Sequence, residues 1–211
     1  ETVPIPPFGH TRFSPSAFMK KYSLLFVLLL ILSLLAVYQF SLVSQGYNLV
    51  RPLFLTDDGI ECLQSLLAKG VLHRPLGSMH QGQCVVKNAV RIDHLPNTSI
   101  SSPITVSCQT AHKIVDFLEA INANSITHMG SYNCRTIRQT GFISEHGFGT
   151  AIDISMINGA SVERHWGMET KQGYILAWAD QSARDYFSNV LTPATDKAHR
   201  DHFHLDGGFG F

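Results

Sequence analysis

His202-Phe203-His204-Leu205-Asp206, close to the end of the chain, alternates polar and apolar residues. Strand side chains point to opposite faces with a period of two. Read as a strand, the segment puts His202 and His204 on one face and turns Phe203 and Leu205 towards a core. The α-carbons of the two histidines would lie about 6.5–7 Å apart. Earlier in the chain stands Ser144-Glu145-His146-Gly147-Phe148-Gly149-Thr150-Ala151-Ile152-Asp153. On one straight helix His146 and Asp153 would be about 10 Å apart along the axis. Fully extended they would be more than about 20 Å apart. The chain must turn back between them to bring them together. Gly147 and Gly149 permit that turn, because glycine accepts positive φ. Ala151-Ile152-Asp153-Ile154 then reads as a second strand, with Ala151 and Asp153 on one face and Ile152 and Ile154 in the core.

Two imidazoles and a carboxylate gathered in this way suit a catalytic zinc ion. One histidine of the His202/His204 pair ligates, and the other faces a substrate beside the metal. Three protein ligands leave one position open. Water there has its pKa lowered towards about 7, which makes a nucleophile at neutral pH. The expected chemistry is metal-assisted hydrolysis. The rest of the sequence says where it would take place.

The chain has 211 residues and no formal net charge. There is no basic excess to meet a phosphate backbone, so nucleic acid is not an expected partner. Eleven histidines are present, and only the clustered ones carry weight. Residues 22–40, YSLLFVLLLILSLLAVYQF, are almost unbroken apolar sequence. About 20 helical residues cross the ~30 Å hydrocarbon core, and a helix apolar on every face has no solvent side. Met19-Lys20-Lys21 precedes the run, and no convincing small-residue cleavage site follows it. Residues 19–44 are therefore expected to be an uncleaved signal anchor. The lysines before it favour a cytoplasmic N-terminus and place the remainder outside the cytoplasm. Residues 1–18 are expected to be a disordered extension, residues 45–56 a linker, and residues 57–211 the functional domain.

Within that domain Asp57 can cap a helix running to Lys69, with Gly70 as its stop and Ile60, Leu63, Leu66 and Leu67 as its apolar stripe. Ser107 can cap a second helix over 109–123, with Ile114, Val115, Leu118 and Ile121 inward. A third helix is expected within 174–187. Strands are expected over 85–95, 126–132, 150–156 and 203–205. The class is α+β: a small antiparallel sheet carrying the zinc site, flanked by helices and preceded by one transmembrane helix. Four cysteines lie beyond the apolar run, where thiols can oxidise. Of the three possible pairings, Cys62–Cys84 and Cys108–Cys134 are expected, because each joins a helix to a following strand.

Ser144, His146, Gly149, Ala151 and Asp153, with His202 and His204, resemble the two signatures of the zinc peptidases that include D-Ala-D-Ala carboxypeptidases, murein endopeptidases and the hedgehog signalling domain. A fuller resemblance is to bacterial proteins with an extensin-like C-terminal domain. It is carried by Cys62, Cys84, Cys108, Gly130-Ser131-Tyr132-Asn133-Cys134-Arg135, Ser144-Glu145-His146, Ala151-Ile152-Asp153-Ile154 and Asp201-His202-Phe203-His204-Leu205-Asp206, and covers residues 47–207. The resemblance implies zinc on His146, Asp153 and His204, and a substrate carboxylate or carbonyl oxygen on Arg135, whose guanidinium offers a bidentate fork. Ser144 is expected to be substrate-binding with Arg135, and Ser144 and Glu145 to position their loop. Many of these peptidases place a glutamate as general base three residues before the last ligand. Here that position is Asp201, so the base is open among Asp201, His202 and His199. The implied substrate is a peptidoglycan peptide, cleaved at an amide bond by a single-pass inner-membrane protein with its C-terminal domain in the periplasm. The alternative is a non-catalytic zinc-containing module that binds cell wall or protein.

Overall fold

The apolar run forms helix α1, Pro15–Val50, in which residues 25–43 are exposed on every face. The stretch Leu25–Phe54 is long and apolar enough to cross a membrane, with a mean hydropathy of 2.5 over an 18-residue window. The structure, a computed structural model, describes residues 15–55 and 59–209. Residues 1–14 of the expected disordered extension lie outside the described residues, as does Asp57. Residues 15–18 are helical rather than disordered, because α1 begins at Pro15, a residue tolerated in a first helical turn.

The expected linker is a correction. The compact unit that carries the rest of the fold begins at Ser44 rather than at residue 57. The end of α1 and the 3-10 turn Arg51–Phe54 are part of it. Ser44, Asn48 and Arg51 are buried. The polar groups of Asn48 and Arg51 find partners inside the domain, on Gly141, Ile143 and Glu145.

There follow helix α2 (Gly59–Ala68), strands β1 (Leu72–Gln81), β2 (Cys84–His94), β3 (Ser99–Ile100) and β4 (Ile104–Ser107), helix α3 (Cys108–Ala120), and strands β5 (Ser125–Gly130), β6 (Ala151–Ile157) and β7 (Ala160–Ser161). Helices α4 (Val162–His165) and α5 (Lys171–Ala183) and strands β8 (Asn189–Leu191) and β9 (Phe203–Asp206) complete the order. The class is α+β with antiparallel pairing dominant, but the strands form two sheets. One has the order β1-β2-β4. The other has the order β3-β5-β6-β9-β8, with β7 on β6. The short β3 is parallel to β5.

Two helix starts, those of α3 and α5, follow side-chain caps. The Ser107 hydroxyl accepts from Thr110 N, and the Thr170 hydroxyl accepts from Gly173 N, each satisfying an otherwise orphan donor. Ile114, Val115 and Leu118 of α3, and Ile121 at its C-cap, are all buried. On α2 the buried face is Cys62 and Leu66, and Ile60 and Leu67 are exposed. The expected stripe is therefore rotated, because the bond from Cys62 turns that face towards α3. Strand β1 contains Pro75 and Gly77, and its pairing with β2 shifts register around both. It lies at the edge of its sheet, where proline is tolerated. Nearly all of it is exposed, so no alternation marks it in the sequence. The main core packs α2, α3 and α5 against both sheets, with Ile152, Ile154, Phe203 and Leu205 beneath the candidate ligands.

All four cysteines are paired, as Cys62–Cys108 and Cys84–Cys134, so neither expected pairing forms. Packing of α2 on α3 brings Cys62 to the start of α3, with a Cα–Cα distance of 6.1 Å. The loop after β5 returns past β2, which brings Cys134 within 5.7 Å of Cys84. The bridges span 46 and 50 residues, and in the chain-entropy picture each contributes about 4 kcal/mol by restricting the unfolded state. Reduction is therefore expected to lower the melting temperature by well over 10 °C. Non-reducing peptide mapping should recover the Cys62–Cys108 and Cys84–Cys134 peptides. A Cys62–Cys84 peptide would contradict the fold.

Candidate metal centre

The register of β6 on β9 sets Asp153 directly opposite His204 and Ala151 opposite Asp206. His146 arrives from the 3-10 turn Glu145–Phe148. That turn ends at Gly149, with φ of +66°, and a Cβ there would meet Val86 at 2.6 Å. Both the backbone conformation and the close approach call for glycine. Single ligand atoms of His146, Asp153 and His204 lie within 4.8 Å of one another. His146 Nε2 is 3.1 Å from Asp153 Oδ2, and His204 Nδ1 is 2.8 Å from Asp153 Oδ1.

The outer ring nitrogens fix the tautomers. His146 Nδ1 donates to Ser131 O at 2.6 Å. His204 Nε2 donates to Asp206 Oδ2 at 2.9 Å. Asp206 Oδ1 in turn accepts from Asn189 Nδ2 and Gly208 N, both at 2.7 Å. In the neutral state, then, His146 Nε2 and His204 Nδ1, 3.2 Å apart, both aim lone pairs at one point beside the Asp153 carboxylate. Three acceptors converging there require a cation, either a proton or a metal ion. Outer carboxylate and carbonyl partners of this kind are what metal-ligating histidines have, and a donor set of two imidazoles and one carboxylate suits zinc.

The titration behaviour has the same origin. Burial opposes ionisation of Asp153, but hydrogen bonds and charge from His146 and His204 outweigh it and hold the carboxyl far below its usual range. Burial also disfavours the charged form of His204. Asp153 and Asp206 overcome this and push its pKa up to about 9. Without metal, His204 therefore carries the proton that fills the lone-pair site at neutral pH. A metal ion must displace it. Apparent zinc affinity is expected to fall about tenfold per pH unit below pH 9, where His204 must lose its proton, and this proton dependence is absent above pH 9. Titration calorimetry at pH 7.5 in buffers of different ionisation enthalpy should show release of about one proton from this group. Buffer-independent heats would contradict it.

His202 lies beside the cluster, its Nε2 3.8 Å from Asp153 Oδ1. Its Nδ1 donates to Asp201 Oδ1 at 2.8 Å. That hydrogen bond, ahead of an opposing burial effect, lowers the Asp201 pKa. Both residues precede β9, so Asp201 escapes the strand geometry that would point it away from His202. It does not line the cleft. His199 does, with its Nδ1 on Asp196 Oδ1 at 2.9 Å and its ring 5.2 Å from that of His202 and 5.8 Å from that of His204.

Asp153 and His204 line a cleft of about 430 Å³, whereas His146 is buried and does not line it. Arg135, Ser144, His199 and His202 all line it, beside apolar Phe142 and Phe209. Arg135 is exposed on a loop. Ser144 is buried, and its N–H donates to Arg135 O while its own carbonyl accepts from Gly147 N. It thus ties the arginine loop to the turn that presents His146. His165 and Trp166 belong to packing: His165 Nδ1 accepts from Ser161 N, and Trp166 stacks edge-on against Phe203. The sequence reading gave Asp206 no role. Its signal was the continuation of the His-x-His alternation by one more step. Nothing local marks Tyr47 as part of the cleft wall.

Residues 60–209 match the family model described as extensin-like protein C-terminus. No curated protein and no solved structure matches the chain.

Proposed function

From the premise that the chain belongs to the extensin-like protein C-terminus family, we propose a zinc-dependent hydrolase that cleaves an amide bond in peptidoglycan peptides. It would be held in the inner membrane by α1, with its domain in the periplasm. The observation that carries this reading is the pair of inner imidazole lone pairs converging with the Asp153 carboxylate, a cluster of which Asp153 and His204 line an open cleft. His146 Nε2, Asp153 and His204 Nδ1 would hold the ion. When bound, zinc polarises a carbonyl oxygen and lowers the pKa of water to about 7.

The remaining roles fall to the chain's own groups. Asp201 holds His202 with Nδ1 protonated, which leaves Nε2 facing the cluster. From there it takes a proton from attacking water and returns it to the leaving nitrogen. Once protonated it also supplies positive charge beside a developing oxyanion. His199, bonded to Asp196, stands as the second proton carrier. Arg135 receives a carboxylate or carbonyl of the substrate. The compartment is supported by the two disulfides, and the substrate class by the resemblance to murein endopeptidases. The test is hydrolysis of purified muropeptides by zinc-loaded protein, followed by mass spectrometry of the products. No cleavage across a broad panel would favour a zinc-containing binding module. That second reading draws on one feature, the carboxylate of Asp201 being turned onto His202 and away from the cleft.

A further inference from the structure

Glu145, the neighbour of His146, is a buried carboxylate gripped by the chain that emerges from the apolar run. Its oxygens accept from Arg51 Nε at 3.0 Å and Arg51 Nη2 at 2.6 Å. Tyr47 Oη donates to it at 2.5 Å, and Thr150 Oγ1 also at 2.5 Å. Arg51 is only 3% exposed and Glu145 only 9%. Asn48 holds the approach to the same turn, its Oδ1 accepting from Ile143 N at 2.7 Å and its Nδ2 donating to Gly141 O at 2.8 Å. Gly208 closes the other side: a Cβ there would come within 2.8 Å of Glu145 Oε1. Tyr47 also lines the cleft, with Asp153 and His204.

A carboxylate taken out of water is tolerated only where paired donors fix it, and a guanidinium that bonds through two nitrogens fixes direction as well as distance. The position of Glu145 is thus set by Arg51 and Tyr47. His146 is the next residue in a 3-10 turn of four residues, so its ring inherits that position. We propose that Arg51 and Tyr47 are positioning residues for the metal centre: by clamping Glu145 they hold His146 in ligating geometry, and the juxtamembrane segment is a working part of the site. This rests on reading His146 as a metal ligand.

The test uses the full chain in detergent micelles and the metal alone. Arg51→Lys keeps the charge but loses the two-nitrogen bond, and Tyr47→Phe removes one hydroxyl. Arg51→Lys is expected to weaken zinc binding about tenfold or more, as loss of a partner supporting a ligand does, and Tyr47→Phe to weaken it by less. In both, the visible absorption bands of the cobalt(II)-substituted protein should shift while the far-ultraviolet circular dichroism stays that of the parent. Leu176→Ala, in the buried core and not among the residues that line the cleft, is the control for simple destabilisation: it should lower the melting temperature and leave zinc affinity and the cobalt spectrum in place. Zinc affinity within twofold of the parent in the folded variants, with an unaltered cobalt spectrum, overturns the proposal and leaves the metal reading standing. If Arg51→Lys does not fold, Tyr47→Phe decides the matter alone. A parent chain that binds no zinc overturns the metal reading and this proposal with it.

Discussion

His204→Ala is expected to reduce bound zinc from about one ion per chain to a trace and to abolish hydrolysis, because it removes one of three ligands and the anchor of a second carboxylate. His204 sits between Asp153 and Asp206. Its loss leaves the buried Asp206 and the half-buried Asp153 carboxylates without their shared partner, which also destabilises the metal-free fold. Elemental analysis after zinc-replete purification is the primary measurement, with circular dichroism confirming that the domain is folded. Asp206→Asn separates ligand from support. It keeps all three ligand atoms but weakens the bond that orients His204, so zinc should be retained with affinity lower by about 10–100-fold. A folded His204→Ala protein that still carries about one zinc ion per chain would remove His204 from the ligand set.

The second large effect belongs to His202. Its Nε2 is 3.8 Å from Asp153 Oδ1 and outside the tight cluster, so His202→Ala should leave zinc in place and lower turnover by about 10²–10⁴, the range for a general acid–base group. Asp201→Asn is the companion variant. Asp201 bonds His202 Nδ1 and does not line the cleft, so its loss should be smaller than that of His202 and should fall on turnover more than on substrate binding. An Asp201→Asn loss as large as the His202→Ala loss, persisting when His202 is already alanine, would show that Asp201 itself moves the proton. Zinc lost with His202→Ala would show that His202 and His204 have exchanged roles.

Much of the site was legible because it rests on alternation within two short strands. His202-Phe203-His204 and Ala151-Ile152-Asp153-Ile154 announce their inner and outer faces residue by residue, and the buried Phe203, Leu205, Ile152 and Ile154 lie on the faces that the period of two assigns. The glycines of the His146 turn were legible for a similar reason, since a backbone that must double back within a few residues leaves its mark locally. Strand β1 was not legible, because an exposed edge strand buries too little to impose a pattern. The cysteine pairing was not legible either. Which helix packs on which is decided by the whole core, and the nearest partner in sequence was not the nearest in space.

What the sequence by itself determined is the apolar helix, the α+β class and the strand faces that carry Asp153 and the His202/His204 pair, all of them consequences of local periodicity, whereas the choice of His204 over His202 came from the family resemblance. What only the tertiary structure decided is how those residues are held: the register that sets His204 against Asp153, the Asp206 carboxylate behind His204, the bond from Asp201 to His202, and the grip of Arg51 and Tyr47 on Glu145. Each of these joins groups whose relative position depends on burial and hydrogen bonding between distant segments. The Arg51–Glu145 pair spans 94 residues of chain, and a one-residue slip of β9 would turn His204 into the core. Periodicity reports which face a side chain takes, whereas the partner it meets there is selected by the packing of the whole domain.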